Sequence, residues 1–110
     1  MRNHTEKRHL CSELVSILCG CGRLITGNLE EIGERSALVL VDTPIRRNSQ
    51  VNIRCETYNL RGAVRSCRFA GVLGYLVEVT LDIDSTWSPR WFTPKHLMCL
   101  LEPPALRRFA

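Results

Sequence analysis

No apolar run in this chain approaches the length of a membrane-spanning helix, and no stretch carries the apolar period of a long amphipathic helix. Histidine is scarce: His4, His9 and His96 each stand alone in the sequence. The six cysteines lack the spacing of a metal site. Cys19-Gly20-Cys21 is tighter than the usual zinc knuckle, and no second close pair completes four ligands, so no metal is expected. Glu30-Glu31, Asp82-x-Asp84 and the histidines are the only groups suited to acid–base work. They show no nucleophile–base spacing, and no phosphate-cradling glycine loop opens a helix, which points away from an enzyme. No apolar signal region follows the polar start Met1–Arg8, and this points to the cytoplasm. Repeats and low-complexity segments are missing too.

What is present is the composition of a single soluble domain: 110 residues, 45% hydrophobic and 24% charged. Cys11, Cys55, Cys67 and Cys99 fall in or beside apolar segments, where a reduced thiol serves as a small hydrophobe. The net charge of +4 is carried almost wholly by arginine. Such a surplus is compatible with an anionic ligand and equally with a soluble, edge-protected β-domain.

The chain is organised around Gly27–Val41. A polar segment, Asn28-Leu29-Glu30-Glu31-Ile32-Gly33, precedes the apolar run Ala37–Val41, which Asp42-Thr43-Pro44 stops. The reading is a strand, a tight polar turn and a buried strand, with Asn28, Glu30 and Glu31 at one rim of a sheet. Before it, Leu14–Leu18 reads as a strand joined through Cys19-Gly20-Cys21-Gly22 to a second strand, Arg23–Leu29. After it, Val51-Asn52-Ile53-Arg54-Cys55 alternates with Val51, Ile53 and Cys55 inward. Leu60–Phe69 is a long strand, and Tyr75, Val77, Val79 and Leu81 share one face of the next. Short strands at regular spacing predict a mainly β fold, a six- or seven-stranded antiparallel barrel. Thr93-Pro94 carries the signature of a helix start, so a short C-terminal helix is expected. The division is a basic arm over 1–10, a barrel over 11–81, an aromatic and helical segment over 82–102, and a loose tail over 103–110.

Asn28-x-Glu30-x-x-Gly33 before an apolar strand resembles the Asp/Asn-x-Ser-x-x-Gly motif of PilZ domains, small bacterial β-barrels of which many bind cyclic di-GMP. Leu60–Cys67 and Gly74–Val79 are similar to that family's closing hairpin. The resemblance implies a non-enzymatic signalling module of the receptor or adaptor type. Cyclic di-GMP would be its one ligand, no cofactor would be needed, and Lys7 and Arg8 would meet it from the arm, with Asn28, Glu30 and Gly33 on the barrel side. Two departures weaken that site. The family's Arg-x-x-x-Arg spacing fails, since Cys11 and Ser12 lie four residues after Lys7 and Arg8. Glu30 also stands where serine is expected. A carboxylate only accepts hydrogen bonds, and beside a dianion its repulsion is on the order of 3–4 kcal/mol per charge pair at a surface-like dielectric. Nucleotide binding is therefore expected to be weak or lost.

Two further readings stand beside this one. Trp87, Arg90 and Trp91 are residue types enriched at interface hot spots, so the barrel end is a candidate docking surface for a protein partner. The competing assignment makes those aromatics core. A single-stranded nucleic-acid barrel using Arg54, Arg61, Arg65 and Arg68 ranks last, because aromatics are not interleaved with the arginines. No contact with a membrane is expected.

Overall fold

The computed structural model describes residues 7–56 and 58–99. The chain forms β1 (Arg8–Cys19), β2 (Leu24–Gly33), β3 (Ser36–Val41), β4 (Gln50–Arg54), β5 (Asn59–Phe69), β6 (Tyr75–Leu81) and β7 (Met98–Cys99). Every pairing is antiparallel. The sheet runs β2-β3-β6-β5-β4-β1, and β1 returns to pair with β2, which closes a six-stranded barrel. The short β7 adds to the start of β1, where His9 faces Cys99 and Leu10 faces Met98. The fold expected from strand spacing is the fold observed.

Alternation explains the interior. Val15, Ile17 and Cys19 of β1, Ile25, Leu29 and Ile32 of β2, Val39 and Val41 of β3, and Val77, Val79 and Leu81 of β6 are all buried. Val51, Ile53 and Cys55 point inward as their pattern required. Gly62 is fixed by close approach: a Cβ there would lie 2.2 Å from the Thr80 carbonyl oxygen. Only a residue without one lets β5 and β6 draw together at that level.

Three expectations need correction. The polar segment Asn28–Gly33 is not a turn. Strand β2 runs through it, and the reversal falls at Glu34-Arg35. A β-bulge interrupts the β2–β3 register between Leu29 and Glu31, so Glu30 and Glu31 both face outward and the polar pair imitates a turn. The first strand is far longer than Leu14–Leu18, and it takes in Arg8–Leu10 of the expected free arm. The C-terminal helix does not start at Thr93-Pro94. Lys95-His96 is a turn with His96 at φ 58°, and β7 follows. The first six residues of the arm, the rest of the C-terminal segment and the 103–110 tail lie outside the described residues.

Candidate functional site

Strand pairing carries Arg8 to the neighbourhood foreseen for it, because Arg8 lies directly opposite Gly33 in the β1–β2 ladder. Its guanidinium is not available to a ligand. Nη2 donates to Glu78 Oε2 at 2.9 Å, and Nη1 donates to Glu31 Oε1 at 3.4 Å. The two carboxylates converge because Glu31 and Glu78 both flank Leu38 on the outer face, one from β2 and the other from β6. Burial works against the Arg8 charge. Hydrogen bonding and charge from Glu78, then from Glu31, outweigh it and hold the guanidinium above its ordinary range.

Glu30 completes an acidic flank. Its Oε2 accepts from Asn28 Nδ2 at 2.7 Å, and the same amide reaches Ser12 Oγ at 3.2 Å. Asn28 thus has its donor occupied by a carboxylate two residues on. Lys7 is exposed and lies elsewhere, in a depression with His9, Glu34 and Trp87. Arg35 is exposed in the β2–β3 turn. The five residues singled out in the sequence do not converge on one cavity.

Asn28 instead lines a shallow cleft of about 680 Å³ with Ser12, Ser16, Thr26, Arg54 and Lys95. Glu13, buried beneath it, accepts from the Lys95 backbone N–H at 2.8 Å and so fastens the C-terminal turn to β1. This carboxylate is the residue that reading the sequence missed. The signal was present: Cys11-x-Glu13-x-Val15 places Glu13 among inward positions. Buried carboxylates are almost always partnered. Cys11 and Cys55 lie close by. Burial, and then the charge of Glu13, pushes each thiol up to about 12. Among the described residues no group of three or more His, Cys, Asp or Glu could hold a metal ion.

The aromatic cluster divides. Trp87 is core at 3% exposure, with its Nε1 donating to the Phe92 carbonyl at 3.0 Å and its ring in a T-shaped contact with His9. It is removed from the docking set. Phe92 stacks on Tyr58. Trp91, in contrast, is 64% exposed, and Arg90 beside it is exposed as well. Of the four arginines considered for nucleic acid, Arg61 is engaged by Asp84 at 3.3 Å, while Arg54, Arg65 and Arg68 face solvent.

Set against known proteins, the chain matches no family model, no curated protein and no solved structure.

Proposed function

We propose that this chain is a non-catalytic, PilZ-like regulatory barrel of the cyclic di-GMP receptor or adaptor type in which nucleotide binding has been weakened or lost. The closed antiparallel barrel and the position of Asn28 and Gly33 on its second strand support the family reading. One observation carries the loss: the arm's arginine is neutralised by Glu31 and Glu78, with Glu30 alongside. A bis-phosphate ligand would meet carboxylates there, and prying Arg8 away would leave two of them without their cation.

Calorimetric titration with cyclic di-GMP tests this. The wild type should give no saturable heat at micromolar ligand. Glu30→Ser combined with Glu31→Gln should restore measurable binding, since each carboxylate removed relieves a repulsion on the order of 3 kcal/mol before salt screening. Tight binding by the wild type refutes the proposal.

A protein-docking role is the second reading, favoured by the exposed Arg90-Trp91 pair on a turn that a Trp91 N–H to Ser88 carbonyl bond pins at 2.8 Å. An Arg90→Glu, Trp91→Ala variant that folds normally and keeps every partner would remove it.

A further inference from the structure

The end of the barrel away from Gly33 has a different chemistry. There β5 and β6 continue to Phe69 and Tyr75 and close through Ala70–Gly74. Phe69, Val72 and Leu73 are 72%, 104% and 67% exposed. Backbone hydrogen bonds tie the tip. The Ala70 N–H donates to the Gly74 carbonyl at 2.7 Å, and a short 3-10 turn spans Gly71–Leu73. Gly74, at φ 113°, presses so closely on β3 that an added Cβ would sit 2.2 Å from the Val41 carbonyl oxygen. The tip is an apolar projection.

Cations flank it. Arg68 is exposed next to the tip, opposite Leu76, and Arg65 is exposed further back on the same strand, beside the Ser66–Glu78 pair. The loop bearing Arg46 and Arg47 is held against β5 by Asn48 N–H to Val64 carbonyl and Val64 N–H to Ser49 carbonyl bonds, at 2.8 and 2.9 Å. None of these four arginines has an ion-pair partner among the described residues. Asp42 is the carboxylate nearest the tip, and its Oδ1 accepts from Thr43 Oγ1 at 3.1 Å. An apolar point flanked by unpaired guanidiniums matches an interface that is anionic at its surface and apolar beneath. Phe69, Val72 and Leu73 line none of the main clefts, although Arg46 borders one of about 560 Å³ with Cys19, Arg23 and Gln50, and three side chains are too few for the core of a stable protein interface.

We propose that this end of the barrel docks on an anionic lipid surface. Phe69, Val72 and Leu73 enter the boundary between headgroups and acyl chains, while Arg46, Arg47, Arg65 and Arg68 meet the lipid phosphates. The proposal is independent of the nucleotide reading, and it departs from the expectation that no membrane is contacted.

Sedimentation of the full chain with phosphatidylcholine vesicles, with and without phosphatidylglycerol, tests it. The wild type should pellet with the anionic vesicles only, and less so as salt rises. Arg65→Gln with Arg68→Gln should weaken this by about fivefold per arginine. Val72→Ser with Leu73→Ser should weaken it by at least about tenfold. A polarity-sensitive dye on Val72→Cys, in a Cys21→Ser, Cys67→Ser, Cys99→Ser background, should shift to the blue on anionic vesicles. Absence of pelleting at low salt overturns the proposal, as does pelleting that the Val72→Ser, Leu73→Ser change leaves intact. Self-association abolished by that change would assign the tip to a second copy instead. Tighter retention of a single-stranded oligonucleotide than of vesicles would assign it to nucleic acid.

Discussion

The two ends of this barrel handle charge in opposite ways. Near Gly33 and the segment following β6, cations and carboxylates are paired within the chain: Arg8 with Glu31 and Glu78, and Arg61 with Asp84. Large rings are packed there as well, Trp87 in the core and Phe92 on Tyr58. Toward the β5–β6 tip, Arg46, Arg47 and Arg68, with Arg65 further back on β5, stand without such partners, and apolar side chains point into solvent. Around Arg8 and Arg61 charge is met by the chain's own carboxylates, although Ile83, Arg90 and Trp91 stay exposed at that end, whereas the arginines at the tip have no such pairing. The end that motif reading favoured is the paired one. A motif marks where side chains sit, whereas availability depends on what the neighbouring strands have already placed against them.

The largest expected contrast between the ends lies in the thiols. Cys11 and Cys55 are buried beside Glu13, and Cys21 is exposed in the β1–β2 turn at the arginine end. With thiols held up to about 12, against about 8.5 for a free one, Cys11 and Cys55 should react at least about fiftyfold more slowly than Cys21 with a disulfide reagent at pH 8, the loss of thiolate outweighing its greater nucleophilicity. The sign for stability follows from the same shift. A folded-state value above the unfolded one stabilises fully below about pH 8.5. That contribution is lost as pH rises toward about 12. Equal reaction rates for all thiols would break the contrast.

Gly62→Ala should come next. The 2.2 Å approach to the Thr80 carbonyl oxygen leaves no room for a methyl group. Parting β5 from β6 should cost about 3 kcal/mol in chemical denaturation. Because those two strands connect both ends, the paired flank and the apolar tip should be lost together in a single transition. Separate transitions would show that the ends are independent units.

Arg8→Ala should cost less, about 1 kcal/mol, because the ion pairs are only half-buried. The loss should shrink as salt is raised. A salt-independent loss would mean that Arg8 acts through the packing of its stem and not through its charge.

The barrel was legible in the sequence because closure rewards strict alternation, and β4 and β6 show it cleanly. The ends of strands were not. In β1, exposed Leu14 and buried Glu13 reverse the usual assignment of apolar to the inside, so a strand of 12 residues was read as five. In β2 the bulge sets Glu30 and Glu31 on one face, a break in period that sequence alone cannot tell from a turn. The sequence pattern singles out Asn28, Arg8 and Gly33, but not the carboxylate that pairs with Arg8. Glu78 lies 70 residues away, and only the β3–β6 pairing brings it near. Trp87 was ambiguous for a similar reason: ring size marks a core residue and a docking residue alike, and only the His9 and Phe92 contacts separate the two.

The smallest stability effect is the most telling for the unpaired end. Val72 at 104% exposure makes no contact that folding needs, so Val72→Ser should change unfolding free energy by no more than about 0.5 kcal/mol. An apolar side chain kept fully in water gains nothing for the folded state, and beside Phe69 and Leu73 it adds to an aggregation hazard. If Val72→Ser is neutral to folding yet lowers retention on anionic vesicles, the side chain acts only in the docked state. Should the same substitution cost more than about 1 kcal/mol, the tip is packed in solution, and the difference between the two ends reduces to one of charge alone.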